Sequence, residues 1–149
     1  MEILFFRYAN RLAGLFTKYV DEVIHAPETF PSLPVSPHIT DMIVHREVSY
    51  GIIDLKGFIS AHDGSNNPII ILVGFEGISF GIKINKIVQV RSVSKTKLVS
   101  IPDKASSVSP EIVDCACRVK NNYIPILSPE KLLHHPDIEP LWYNGVNSV

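Results

Sequence analysis

The stretch IVHREVSYGIIDL, residues 43–55, joins two apolar segments through a charged pair. Apolar residues at 43–44 and 52–53 favour β-strands that enter a core. Arg46 and Glu47 stand between these segments, and no Gly or Pro beside them marks a turn. A charged pair in this position needs an explanation from the rest of the chain.

The composition is that of a folded protein without a strong bias towards one charge. The chain has 149 residues, of which 46% are hydrophobic and 19% charged, and its net charge is −1. This suits one domain, or two small ones that share a core. Charges of both signs are scattered, and we expect Lys95 and Lys97 to be isolated and solvated. Nucleic acid and anionic membranes are therefore not expected as main partners.

The N-terminal segment MEILFFRYANRLAGLF is apolar but does not fit a signal peptide. Glu2 comes first, and Arg7 and Arg11 interrupt the apolar run. No segment reaches the roughly 18 apolar residues that a membrane-spanning helix needs. We therefore expect a soluble, cytoplasmic protein.

The two cysteines are separated by one residue. On a strand, Cys115 and Cys117 would lie on the same face, where a disulfide between them would be strained. We expect both thiols to be free and without a metal, as in a reducing compartment.

Alternation of apolar and polar residues predicts a chain of strands and no long helix. GFEG (74–77) and KNN (120–122) are typical of hairpin turns. Three Ser-Pro pairs, at 36–37, 109–110 and 128–129, are typical of a capping Ser followed by a first-turn Pro, and the last predicts a short helix. The predicted strands are 2–8, 12–23, 42–46, 48–55, 68–74, 78–90, 114–119 and 122–127.

The chain also contains an internal repeat. A shift of 67 places residues 3–23 on 70–90, and a shift of 73 places residues 36–55 on 109–128. Chance similarity between two β-rich halves is the alternative, but the order of elements also matches. The polar segment HDGSNNP (62–68) is the expected boundary. A barrel formed by one half would be only marginally stable alone, so two small barrels would pack together and share their buried surface.

Four segments in this order resemble the CheW-like domain family, the adaptors of bacterial chemotaxis. VDEV (20–23) is similar to the family's V-x-E-V, and GIKINKIVQV (81–90) to its G-L-L-V-D-x-V-x-x-V. LPVSPHITDMIVHREVSYGIIDL (33–55) is similar to L-P-x-x-P followed by the G-V-I-N-L-R-G and I-I-P-V-I-D-L strands. YIPILSPEKLL (123–133) is similar to the closing strand and helix. The resemblance covers residues 2–133.

The resemblance implies an all-β fold of two similar five-stranded SH3-like β-barrel subdomains packed around a shared core, with a short C-terminal helix. Combined with the repeat, it places the first barrel at about 2–61 and the second at about 68–128. The closing helix would span 129–135, and residues 136–149 would form a tail.

The resemblance also implies a function. The chain would be a non-enzymatic signalling adaptor without a cofactor, coupling the cytoplasmic tip of a chemoreceptor to a CheA-type histidine kinase. A divergent scaffold in another receptor–kinase pathway is the alternative, and a β-barrel ligand-binding protein or enzyme is a further one. The residues expected to bind partners are Val20, Glu22, Val23, Arg46, Glu47, Ile84 and Asn85.

Several positions depart from the family's motifs. Glu47 and Asp41 replace glycines, and Asn85 and Ser128 replace aspartates. A positive φ at Glu47 would cost about 1 kcal/mol or more. We therefore expect the turn after Arg46 to have a different shape in this chain.

No residue pattern predicts catalysis or a closed metal site. HDGS (62–65) holds His, Asp and Ser on one polar link, which suits a turn better than a triad drawn from separate elements. His134 and His135 near Asp137 are expected to form a solvated helix end. His45 is expected to be half-buried, with a pH switch as the alternative.

Two charged signature positions define the expected partner-binding surface. Glu22 and Arg46 each lie near a strand end beside apolar residues, where an unpaired charge is costly. An arginine fork suits a carboxylate. We therefore expect the two side chains to meet across adjacent strands or to share one surface, whereas an isolated Arg46–Glu47 pair in solvent is the alternative. Trp142 and Tyr143 in the tail would either pack back on the barrel or bind a partner.

Overall fold

The computed structural model describes residues 1–25, 27–31, 38–59, 68–100 and 108–138. Within these residues there is one α-helix, α1 (Pro129–Leu133), and short 3₁₀ turns lie at Thr17–Tyr19, Leu55–Gly57, Lys95–Lys97 and Pro110–Ile112. The strands are β1 (Glu2–Tyr8), β2 (Arg11–Phe16), β3 (Val20–His25), β4 (Phe30–Pro31), β5 (Ile39–His45), β6 (Val48–Asp54), β7 (Ile69–Phe75), β8 (Ile78–Ile84), β9 (Lys86–Ser92), β10 (Leu98–Val99), β11 (Val113–Val119) and β12 (Asn122–Leu127).

The strands form two sheets with the same internal order. The first sheet runs β10-β11-β12-β2-β1-β9, and the second runs β4-β5-β6-β8-β7-β3. The second half of the chain therefore supplies four strands of the first sheet, and its β7–β8 hairpin belongs to the second sheet. The expected division into barrels at 2–61 and 68–128 does not match the sheets, because the two halves exchange their first hairpins.

Two strands that the sequence predicted as continuous are broken where the chain changes sheet. The predicted strand 12–23 is interrupted by the 3₁₀ turn Thr17–Tyr19, after which the chain passes from the first sheet to the second. The predicted strand 78–90 is interrupted at Asn85, where the chain passes back. Apolar alternation continues through both breaks, so it did not reveal them.

The repeat with a shift of 67 is reproduced in the strand pairing. Glu22 on β3 pairs with Leu72 on β7, and Gln89 on β9 pairs with Phe5 on β1. Gln89 follows Glu22 by 67 residues, and Leu72 follows Phe5 by the same number. The β-bulge lies at the same place in both pairs of strands.

The shift of 73 for the later hairpin is wrong by one residue. His45 pairs with Val48 across the first of these turns, and Val119 pairs with Asn122 across the second. Both residues of the second pair follow their counterparts by 74. The identical residues aligned at 73 therefore do not occupy equivalent positions in the ladders.

Apolar side chains form a shared core and one smaller cluster inside each sheet. The shared core takes alternate residues from both sheets, such as Leu4 and Phe6 on β1 and Ile71 and Val73 on β7. The other face of these strands lines the two smaller clusters. Their buried members are Ile3, Phe5, Phe16, Cys117, Ile124 and Ile126 in the first sheet and Ile43, Tyr50, Ile52, Ile70 and Leu72 in the second.

The turn at Arg46 and Glu47 keeps positive φ angles at both residues, 51° and 67°. The expectation that Glu47 would give this turn another shape was wrong. A two-residue hairpin turn with positive φ matches the right-handed twist of its strands, and this requirement prevails over the preference of Glu for negative φ. The strands therefore hold the turn in its shape at the expense of local strain.

Helix capping follows the sequence prediction where the structure describes it. The Ser128 side chain accepts a hydrogen bond from the Lys131 backbone N–H, and Ser109 accepts one from Glu111. Helix α1 ends at Leu133, two residues before the expected end. Ser36-Pro37, the HDGS segment and the Trp142–Tyr143 tail lie outside the described residues.

Candidate functional site

Glu22, His45 and Arg46 form a charged cluster on the second sheet. The His45 Nε2 atom lies 2.7 Å from Glu22 Oε2, and Arg46 Nη2 lies 3.6 Å from Glu22 Oε1. The expected contact between Glu22 and Arg46 is confirmed. Within the described residues, Arg46 forms its ion pair with Glu22 and none with Glu47.

Curling of the sheet brings these residues together. Glu22 lies on β3 at one edge of the second sheet, and His45 ends β5 near the other edge. The two strands are not hydrogen-bonded neighbours, so Glu22 and Arg46 share one surface, the second of the two expected arrangements, and do not meet across adjacent strands. It closes a small barrel by joining two distant parts of one sheet.

His45 is the closer partner of Glu22, and the sequence analysis did not predict this contact. Its side chain is 28% exposed, which agrees with the expected half-buried position. A hydrogen bond from a His ring to a carboxylate fixes the orientation of both groups. In the sequence, only the position of His45 next to Arg46 indicated that it could contact Glu22.

The charges of this cluster affect the pKa of Tyr50. Burial raises the pKa of Tyr50, and the Asp21 and Glu22 carboxylates raise it further, while Arg46 opposes them. Tyr50 also belongs to the buried apolar cluster of the second sheet. A buried apolar cluster therefore lies next to the charged cluster.

Exposed valines flank the charged cluster on the same hairpin. Val44 is 62% exposed and Val48 is 41% exposed. Apolar groups beside oriented charges are typical of surfaces that bind proteins, because the apolar area contributes affinity and the charges set the orientation. The β5–β6 hairpin end can therefore present both.

The remaining predicted site residues lie at different depths. Val20 and Val23 are half-buried and pack against the shared core. Glu47 is exposed at the turn. Ile84 is only 1% exposed, so its side chain offers no surface to a partner, and its assignment as a binding residue is corrected to a core residue.

Asn85 holds the turn of another hairpin. Its side-chain oxygen accepts a hydrogen bond from the Ala9 backbone N–H, and its own backbone N–H donates to the Arg7 carbonyl. Ala9 has a φ of 54°, so this turn benefits from an additional hydrogen bond. These contacts give Asn85 a structural role at the turn between β1 and β2.

One group of residues has the composition of a metal site. His38, His135 and Asp137 have ligand atoms that all lie within 4.8 Å of one another. His135 Nε2 lies 3.0 Å from Glu111 Oε2, and its Nδ1 accepts a hydrogen bond from the Asp137 backbone N–H. Both ring nitrogens of His135 are thus engaged within the protein, and the group joins the segment after helix α1 to the turn before β11.

The expected solvated helix end was wrong for His135. Its side chain is buried, and its ring lies edge-on to Phe58 at 5.0 Å between centroids. His38 stacks on the same Phe58 ring. The sequence did not reveal this because the three residues are distant in the chain.

The cysteines are free, as predicted, and Cys117 is fully buried. Burial, with smaller contributions from the neighbouring Asp114 carboxylate and from Cys117, raises the pKa of Cys115 to about 11. Burial also raises the pKa of Cys117, although Arg91 and Lys97 oppose this effect. A thiol with a raised pKa is a poor nucleophile at neutral pH.

No helix in the described residues is long and apolar enough to cross a membrane.

Comparison with known proteins places this geometry in one family. The family model of the CheW-like domain matches residues 2–137. The fold is similar to the crystal structure of the scaffolding protein TtCheW from Thermoanaerobacter tengcongensis, with a TM-score of 0.77 and 21% identity over 86% of this chain and 84% of that chain. No curated protein sequence matches the chain. The match to the family model spans nearly the whole chain, and the chain therefore belongs to the CheW-like domain family.

Proposed function

We propose that this protein is a non-enzymatic, cytoplasmic adaptor that couples a chemoreceptor to a CheA-type histidine kinase. Membership of a family of scaffold domains supports an adaptor role. The charged cluster of Glu22, His45 and Arg46, flanked by exposed valines, is the observation that carries the proposal. The binding surface would comprise Val20, Glu22, Val23, Arg46 and Glu47.

The roles of these residues follow from their positions. Val44 and Val48 would contribute apolar contact area, although the sequence analysis had not included them. Glu22 would orient His45 and Arg46, so that the arginine is held in one geometry before a partner arrives. Pre-orientation of a long side chain lowers the entropy lost on binding.

Modest affinity would be sufficient for such an adaptor. A receptor assembly holds many copies of each partner, so that several weak contacts act together. A small surface at one hairpin end agrees with an interface of this kind.

The test is a double-mutant cycle of Glu22→Gln and Arg46→Gln, read by kinase pull-down and by urea unfolding. We expect the two effects on kinase binding to be non-additive, while the coupling in stability is below about 1 kcal/mol because Arg46 is 79% exposed. Arg11→Gln and Glu28→Gln serve as the matched control pair at exposed positions. Additive effects together with undiminished binding would reject the assignment of this surface.

The same experiment distinguishes the alternative of a scaffold in a different receptor–kinase pathway. A protein of that kind would leave CheA-type kinase in solution and retain a histidine kinase of another class. An enzyme would instead require a reactive group, whereas burial raises the pKa of both thiols and so makes them poor nucleophiles at neutral pH.

A further inference from the structure

The structure gathers four cations around a cleft that the sequence did not predict. The cleft has a volume of about 400 Å³ and lies between the end of β9, the turn after it and the β11–β12 hairpin. Its lining residues are Arg91, Ser92, Val93, Ser94, Lys97, Arg118, Val119 and Lys120. Lys97, expected to be isolated in solvent, is one of the four cations. The lining contains no acidic residue.

The four cations have no carboxylate partner among the residues that the structure describes. Within the described residues, none of the four cationic side chains forms an ion pair within 4.0 Å. The charges of Arg91 and Lys97 reach the wall of the barrel, where they lower the pKa of Cys117 against the effect of burial. Like charges around one cleft repel one another, and a bound anion would relieve this repulsion.

The internal repeat shows that the first sheet lacks the carboxylate that the second sheet has at the matching position. Glu22, His45 and Arg46 close the corresponding place in the other sheet. The residues at the matching positions of the strand ladders are Gln89, Val119 and Lys120. The turn therefore carries a cation in both halves, Arg46 in one and Lys120 in the other. The carboxylate of Glu22 is replaced by the uncharged amide of Gln89. An acid supplied from outside the chain would take the place that Glu22 fills in the other sheet.

The strand beside the cleft offers a second means of binding. In the described part of the chain, β9 forms a ladder with β1 alone, so its other edge has backbone groups that can pair with another strand. Val88 and Val90 on this strand are 41% and 54% exposed. A partner strand beside β9 would cover them and would extend towards the cleft at the strand's end.

We propose that this cleft and the edge of β9 bind an acidic, extended segment of a partner protein. Carboxylates of the segment would meet the four cations, and its backbone would lie beside β9. The half-buried Val93 and Val119 pack on the interior of the barrel and give the cleft a firm apolar base. The cleft volume lies within the roughly 300–1,000 Å³ typical of binding pockets. The proposal does not depend on which receptor or kinase the β5–β6 hairpin binds.

The test measures binding of a short, fluorescently labelled oligoglutamate peptide to the full chain. We expect binding that weakens as the ionic strength rises, because salt screens exposed charges. The double variant Arg118→Glu with Lys120→Glu should bind about tenfold more weakly or worse. The control variant Arg11→Glu with Lys56→Glu changes the net charge equally at exposed positions outside the cleft, and it should bind nearly as the parent does.

Three results would overturn the proposal. The first is that the peptide does not bind the parent chain. The second is that both double variants lose binding equally, which would show that only net charge matters. The third is that single-stranded DNA or inorganic phosphate displaces the peptide and binds more tightly through the same cations. Circular dichroism shows whether each variant is folded. The milder pair Arg118→Gln with Lys120→Gln replaces the charge reversal if that variant does not fold, and it should weaken binding in the same direction.

Discussion

Glu47 has the largest positive φ among the non-glycine residues that the structure describes, and its backbone is therefore strained. Its φ of 67° lies in the left-handed region, which costs a residue with a side chain about 1 kcal/mol or more. Arg46, Ala9, Glu76 and Lys120 also have positive φ. Hairpin pairing holds all of these residues in place, because each two-residue turn must match the twist of its strands.

Glycine at position 47 should relieve this strain. We expect Glu47→Gly to raise the free energy of unfolding by up to about 1 kcal/mol, since glycine adopts positive φ without a steric penalty. Urea unfolding measures the change. Glu28→Gly is the matched control, because Glu28 is also exposed, loses the same charge and has no positive φ. An equal gain in both variants would show that charge, and not backbone strain, is responsible.

The thiols should make stability fall at high pH. The folded-state pKa of Cys115, about 11, lies above its ordinary value of 9.0, so the unfolded state loses this proton first as the pH rises. The stabilisation is complete below pH 9 and is lost progressively towards about pH 11. Urea midpoints across this range should fall less in Cys115→Ser than in the parent. Identical pH profiles would contradict the assignment.

At the scale of elements, two glycines permit the close approach of parallel strands. Gly14 lies on β2 opposite Ile126 of β12, and Gly81 lies on β8 opposite Ile52 of β6. A Cβ atom at Gly14 would lie 2.7 Å from Ile126 Cδ1 and 2.9 Å from Ile3 Cγ2. The two glycines occupy equivalent places in the repeat, so each sheet closes by the same contact.

Gly14→Ala should lower the free energy of unfolding by about 1–3 kcal/mol, because the added methyl group overpacks the strand crossing. Ile126→Val removes the Cδ1 atom that the new Cβ would meet, so the double variant should recover part of the loss. Gly77→Asn is the control, since nothing lies within 4 Å of a Cβ at Gly77 and Asn tolerates its positive φ. Unchanged stability of Gly14→Ala would show that the crossing can relax.

At the scale of the whole molecule, the exchange of hairpins makes the two halves depend on each other. The β1–β2 hairpin pairs with β9 and β12, and the β7–β8 hairpin pairs with β3 and β6. The shared core also takes side chains from both sheets. Neither half of the chain can therefore bury its apolar strands alone.

Two fragments divided between residues 63 and 64 test this dependence. Each fragment alone should lack cooperative urea unfolding, because its hairpin has lost its partner strands. An equimolar mixture should recover the circular dichroism spectrum and the cooperative transition of the intact chain. A cooperative transition in either isolated fragment would contradict the exchange of hairpins. The intact chain carried through the same refolding procedure is the control.

The sequence by itself determined the local structure and the family of this protein. Alternation of apolar residues predicted most strands, because the direction of a side chain on a strand depends only on its position along that strand. The Ser-Pro pairs predicted two capped turns for the same local reason. The four motifs at 20–23, 33–55, 81–90 and 123–133 identified the family, and the first two also predicted the contact between Glu22 and Arg46.

Only the tertiary structure decided which strands share a sheet. Strand β1 is buried on both faces, with Ile3 and Phe5 inside one barrel and Leu4 and Phe6 in the shared core. The β7 strand has the same two apolar faces, so side-chain pattern cannot tell which hairpin belongs to which barrel. Curling of the sheets then placed His45 against Glu22 and brought two pairs of cations from distant segments of the chain to one cleft. These contacts join residues far apart in the chain. Their energies depend on tertiary packing, which a local sequence pattern cannot predict.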